Sequence, residues 1–183
     1  LSFHATKLFH SIEGGAVIIN DDSLVKKARH LINFGIENED SIPELGINAK
    51  MNEFEAAMGL CMLDEMELIN NKRKKVSELY KKGLDSVIAL QKANKYASSN
   101  NSYFPIIMPS EIDLLKVKEA LNQHDIFPRR YFYPSLDTLS YISPKQHCNK
   151  SRDISRRILC LPMYADLDEI IQRLIIKTIT SVV

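Results

Sequence analysis

Three groups of residues in this chain could do chemistry. The first is Lys7 in "SFHATK", ahead of the Gly14-Gly15 pair in "SIEGGAVIIND". A lysine amine in a partly desolvated pocket loses its proton readily and can form an imine with a carbonyl. Ser2, five positions earlier, offers a hydroxyl to an anion. The glycine pair lets the backbone turn sharply or approach a ligand closely. His4 and Thr6 add polar groups to the same turn. His4 has two open readings, a pocket wall or a packed core histidine. The second group is Arg129, Arg130, Tyr131 and Tyr133 in "RRYFYPSL", whose guanidinium forks can pair with the oxygens of an anion. Read as a strand, this stretch turns Arg129, Tyr131 and Tyr133 to one side and Arg130 to the other. An ordinary strand with one wet face fits those residues equally well. The third is Asn48 in "GINAKM", which by residue type alone suits a turn.

The elements that must position these groups read as follows. Residues 16–19 (AVII) form a short β-branched run, expected to be a buried strand. Asp21, Asp22 and Ser23 offer caps for a helix from about 24 to 32, ending near Gly35. A polar loop with Pro43 and Gly46 covers residues 36–48. From 51 to 69 the pattern is helical and apolar on most sides, which predicts a helix buried between other elements. The basic run 72–75 opens a second helix to about 84 and reads as a solvated face. Residues 103–108 predict a strand, Ser110 with Asp113 a capped helix, and 129–133 another strand closed by Pro134. The final helix carries its apolar stripe from Leu167 to Val182, with Asp166 as the expected cap.

At 183 residues with 45% hydrophobic and 26% charged residues, the chain has the composition of a soluble globular protein. A net charge of +1 gives no general pull toward nucleic acid or membranes. No apolar run approaches the roughly 20 residues of a membrane span. Cys61, Cys148 and Cys160 lack metal-type spacing and suit reduced thiols, so the expected location is cytoplasmic. No metal site is predicted. The order of elements suggests an α/β chain: the end of one layered domain, then a small α/β lobe.

"SFHATK", "EGGAVIIND", "GINAKMNEFEAAMGL", "RRYFYPSL" and "LCLPMY", in that order, resemble the sugar-nucleotide aminotransferases of the DegT/StrS type. The resemblance implies a pyridoxal-phosphate-dependent transferase fold of the aspartate-aminotransferase kind. On that likeness residues 1–50 are a remnant of the large cofactor-binding domain, 51–70 a connecting helix, and 71–183 the small C-terminal α/β domain. Lys7 is then the lysine that carries pyridoxal 5'-phosphate, and Ser2 a contact to its phosphate. Asn48 reaches the phosphate in the neighbouring subunit of a homodimer. Arg129, Arg130, Tyr131 and Tyr133, with His4 lining the pocket, meet a nucleotide-sugar. The amino group comes from an amino acid, with glutamate the expected donor, and goes to a keto-deoxysugar, with a lean to C4. Ser135-Leu136 departs from the family, which often has a histidine just after the proline. The family's ring-stacking aromatic and its acid for the pyridine nitrogen lie upstream of the lysine. The expectation is therefore an incomplete, inactive C-terminal half. Two alternatives remain: a sugar dehydratase of the same fold, which the lysine at position 7 argues against because those enzymes carry histidine there, and a non-catalytic binding or dimerisation lobe.

Overall fold

The computed structural model describes all 183 residues and divides them into two compact units, Leu1–Met66 and Glu67–Val183. Helix α2, Glu53–Leu84, is continuous across that boundary. The sequence suggests two helices here, but nothing breaks the run. Asn52 caps its start: the Glu55 N–H donates to Asn52 Oδ1 at 2.9 Å, and the Asn52 N–H donates back to Glu55 Oε2 at 3.3 Å. No proline follows until Leu84 has been passed, and the lysine-rich stretch favours helix as well as its surroundings do.

In the first unit, Asp21 caps a 3-10 turn over Asp22–Leu24 that feeds helix α1, Val25–Leu31. Gly35 closes the following turn with φ +79°, a value that favours glycine. The buried strand expected over 16–19 does not form. Ser2 pairs with Gly15 in a single bridge, and the Ala16 N–H reaches Leu1 O at 3.2 Å. Val17 and Ile18 lie 80% and 69% exposed. A lone extended segment has its ladder satisfied only where another backbone runs beside it, and of residues 16–19 only Ala16 has such a partner, Leu1. The first half of α2 departs from expectation for a similar reason. Phe54, Leu60, Leu63 and Leu68 are exposed, because no element of the chain covers that apolar surface.

The second unit is built on a three-stranded antiparallel sheet in the order β1 (Ala89–Leu90), β2 (Phe104–Ile107), β3 (Ile158–Leu161). Its register sets Phe104 against Leu161 and Ile106 against Leu159, so these four share one face. Val76, Tyr80 and Leu84 of α2 join them in one core. So do Leu114, Val117 and Leu121 of α3 (Glu111–Asn122), and Ile175 and Ile179 of α5 (Glu169–Val182). The Tyr80 hydroxyl donates to Pro162 O at 3.0 Å, and burial pushes its pKa above the usual tyrosine value. Gln172 Nε2 of α5 donates to Val76 O, tying that helix to α2. No helix is long and apolar enough to cross a membrane.

Three local readings are corrected here. Ser110 caps α3 as expected, its hydroxyl accepting from the Asp113 N–H at 3.1 Å, but α5 starts later than the sequence suggests. Asp168 is its cap, accepting from the Ile170 N–H at 2.6 Å, while Asp166 pairs with Lys72 at 2.7 Å. Ile170 lies off the buried stripe that Ile175 and Ile179 define, 76% exposed. The basic run is not wholly solvated either. Lys74 and Lys75 are exposed, but Arg73 is half-buried and donates to Asn101 O and Ser102 O at 2.9 and 2.6 Å. Arg129–Tyr133 is not a strand: only Arg129 pairs, in a bridge with Cys160. The chain then leaves β3, and Ser135 and Asp137 are drawn into a polar knot.

That knot closes the loop from 135 to α4 (Asn149–Arg157). Asp137, buried, accepts from Ser135 Oγ at 2.5 Å, from the Cys148 N–H at 3.0 Å and from Arg152 Nε at 2.6 Å. These donors, Ser135 foremost, hold its carboxyl down at about 2 against an ordinary value of 3.8. A depressed folded-state pKa contributes stability above the unfolded value that is lost as pH falls through the folded one. Asp137→Asn is therefore expected to lower the urea midpoint at pH 7. The gap to the unsubstituted protein should narrow between pH 3.8 and about 2, where the native carboxylate is itself protonated. A gap constant across that window would show that the charge is idle.

Candidate active site

Lys7 stands on a loop stitched at its base by backbone. The Phe3 N–H donates to Gly14 O, and the Ser11 N–H donates to Phe3 O, both at 2.9 Å. A turn inside it is closed by the Lys7 N–H donating to His4 O at 2.9 Å. Phe3 and Phe9 meet edge to face at 4.9 Å beneath. Gly14 has φ +146°, and a Cβ there would lie 2.5 Å from Ser11 Oγ and 2.8 Å from Met51 Cε. Ser11 is buried and donates to Glu13 O at 2.6 Å, so its hydroxyl occupies the space a side chain at Gly14 would need.

His4 and Lys7 share this turn through one backbone bond, Ser2 stands at the base of the loop opposite Gly15, and all three are exposed. Lys7 takes part in none of the ion pairs. His4 is a surface residue, not a packed core histidine. Its Nδ1 accepts from the Thr6 N–H at 3.2 Å and faces the Thr6 hydroxyl at 2.9 Å. A backbone N–H can only donate, so Nδ1 is the acceptor and Nε2 holds the hydrogen, 3.4 Å from Glu13 Oε1. Asn48 lies on a different loop of the same unit. It pairs with Asn33 in a bridge, and its Oδ1 accepts from Lys50 Nζ at 2.9 Å. Lys50 in turn sits 4.4 Å over the Phe34 ring.

In the second unit the arginine–aromatic segment is layered. Arg129 Nη1 donates to the Tyr131 hydroxyl at 2.6 Å. Tyr131 stacks on Phe132 at 4.8 Å and meets Tyr103 edge-on at 5.7 Å. Arg130 lies 3.7 Å over the Tyr133 ring and pairs with Glu111 at 2.6 Å. Arg129 and Tyr131 meet as the alternation of a strand would have them, but Tyr133 departs from it by pairing with Arg130.

The model of the DegT/DnrJ/EryC1/StrS aminotransferase family matches residues 1–180. The chain belongs to that family. Members of the family depend on pyridoxal phosphate. A dTDP-4-amino-4,6-dideoxy-D-glucose transaminase of Shigella dysenteriae is 36% identical over 189 residues, covering 100% of this chain and 52% of that protein. One of the same description from Escherichia coli is 34% identical over 168 residues, covering 87% and 45%. The chain spans about half the length of these curated relatives. The aminotransferase TlmJ from Streptoalloteichus hindustanus shares the fold at TM-score 0.89 and 19% identity, with 99% of this chain and 50% of that one covered. The α/β pyridoxal-phosphate transferase fold expected from the sequence is therefore the fold observed.

The residues present fit the cofactor of this aminotransferase family at two of its ends. Lys7 offers an amine free of any carboxylate partner, which suits an aldehyde carbon. At the other end the exposed Ser2 offers a phosphate a hydroxyl donor, while the room beside Gly14 and Gly15 is already taken by Ser11 Oγ, Met51 Cε and Leu1 O. Sequence reading overlooked Ser11, Glu13 and Glu111. Ser11 carried a signal, standing three residues before a glycine that needs room. Glu111 carried none, because it meets Arg130 only through the fold. Gly14→Ala tests the brace: with a strained φ and a blocked Cβ it should lose about 1–3 kcal/mol in urea unfolding. An unchanged midpoint would mean the loop tolerates a side chain there.

Proposed function

We propose that the protein carrying this chain transfers an amino group from an amino acid, with glutamate the expected donor, to the keto carbon of a nucleotide-linked deoxysugar, at C4 in preference to C3. The observation that carries the reading is the family match over residues 1–180, with "SFHATK" on the glycine-braced loop. The names of the relatives, transaminases of a dTDP-4-amino sugar, support the nucleotide and the ring position. Bound pyridoxal phosphate supplies an electron sink that acidifies the donor's Cα–H. Lys7 Nζ would hold the cofactor at its aldehyde carbon, with the aldehyde oxygen leaving as water, and, when free, would take the Cα proton as base and return it as acid. Ser2 Oγ donates to the phosphate, and His4, with its Nε2 hydrogen toward Glu13, walls the loop. The segment 129–133, which carries Arg129, Arg130, Tyr131 and Tyr133, receives the nucleotide-sugar. Left in water, as in the 183-residue chain alone, Lys7 keeps an ordinary surface amine's surroundings and turnover is not expected. In the full-length protein, borohydride reduction and peptide mapping should find the cofactor on Lys7; label on any other lysine would overturn this mechanism.

Asn48 completes the proposal as a residue given to the partner subunit of a homodimer. Its position just before α2, whose early apolar face is uncovered, supports a role at a subunit contact. Asn48→Ala in the full-length protein should keep the dimer and weaken cofactor binding. One hydrogen bond to a charged phosphate is worth about 1.5–3 kcal/mol, or roughly ten- to hundredfold. Mixing Asn48→Ala with Lys7→Ala subunits should restore some activity, because one site of the mixed dimer then holds both intact residues. No rescue from mixed dimers shown to have formed would remove Asn48 from the shared role.

A further inference from the structure

Arg129 and Arg130 are adjacent in sequence and look interchangeable, yet their surroundings separate them. Arg130 is mostly covered, with its side chain 16% exposed. Its Nη2 donates to Glu111 Oε1 at 2.6 Å and to Arg156 O at 3.1 Å. Its Nε is sealed from solvent, and one face of the guanidinium is 3.7 Å from the Tyr133 ring centroid. The group therefore ties together the first residue of α3, the end of α4 and the segment it belongs to. Arg129 is exposed. Its backbone is fixed to Cys160 by two hydrogen bonds, at 3.1 and 2.8 Å, and its side chain meets Tyr131, donating to the hydroxyl and lying 5.6 Å from the ring centroid. It joins none of the ion pairs.

An anion approaching Arg130 meets a charge already cancelled and the carboxylate that cancels it. To free the fork would leave Glu111 unpaired beside half-covered surface, which is costly. An anion approaching Arg129 meets an uncancelled cation and a hydroxyl that can rotate to donate as well. We propose that Arg130 is a positioning residue: clamped by Glu111 and stacked on Tyr133, it holds residues 129–133 so that Arg129 alone takes the diphosphate of the nucleotide. This rests on the nucleotide-sugar reading above and assigns Glu111 a part in it.

The test is titration of the full-length, cofactor-loaded protein with dTDP, and with UDP in parallel, at several salt concentrations. The variants are Arg129→Gln, Arg130→Gln, Glu111→Gln and the Arg130→Gln/Glu111→Gln pair, each with a thermal melt. Arg129→Gln should weaken binding about ten- to hundredfold and flatten its salt dependence. Arg130→Gln and Glu111→Gln should each weaken it several-fold with the salt dependence unchanged, and the double variant should be no worse than the poorer single one. Should Arg130→Gln fail to fold, the isosteric Glu111→Gln carries the same test. Two results overturn the proposal. In one, Glu111→Gln tightens binding, or Arg130→Gln flattens the salt dependence, so Arg130 touches the anion itself. In the other, Arg130 and Glu111 variants melt lower but bind dTDP unchanged, so the clamp is only structural. Absence of dTDP and UDP binding in the unsubstituted protein is a different failure, which removes the nucleotide reading and the proposal with it.

Discussion

Lys7 depends on Phe3. By donating to Gly14 and accepting from Ser11, the Phe3 backbone turns residues 3–14 into a closed loop with the lysine at its far side. Two backbone bonds of this kind contribute only a few kcal/mol, but they leave no alternative path for the chain between them. Gly14 is the term that cannot be replaced, because its φ and the buried Ser11 hydroxyl both exclude a side chain. What holds the loop is therefore steric fit at one residue, and polar contacts such as His4 with Thr6 and Glu13 decorate a shape already set.

The two units solve their burial problem differently. The second has a sheet whose inward positions alternate correctly, three helices to cover them, and a core that includes fully buried Tyr80, Leu84, Ile106 and Ile175. The first has one short helix, the start of α2 and a run of apolar residues left open, Val17, Ile18, Phe54 and Leu60 among them. Exposed apolar surface on this scale marks a place where another element or subunit packs. The reading of α2 as part of a subunit contact draws on that same fact.

Charge is distributed with similar economy in the second unit. Asp137 gathers three donors and Arg130 takes Glu111, while half-buried Arg73 has only two backbone carbonyls for partners. Arg129, one residue away from a neutralised neighbour, is left as an exposed cation among tyrosines. Adjacent residues of one type can thus carry different duties, because the backbone sends successive side chains to different surroundings.

Much was legible in the residues themselves. The cap of α3 at Ser110 and the helix stripe Leu114, Val117, Leu121 follow from local hydrogen-bonding and a 3.6-residue period, which need no distant partner. The family was legible because five blocks, from "SFHATK" to "LCLPMY", stand in its order along the chain. Pairing was not legible. Whether 16–19 or 129–133 became strands depended on a second backbone running alongside, and neither found one beyond a single bridge. The cap of α5 fell to Asp168 because Asp166 was taken by Lys72, 94 residues away in the chain. Glu111 met Arg130 only after α3 and the sheet had set their distance. Local chemistry is written in neighbours along the chain; which ions cancel, and which cation stays free, is decided by neighbours in space.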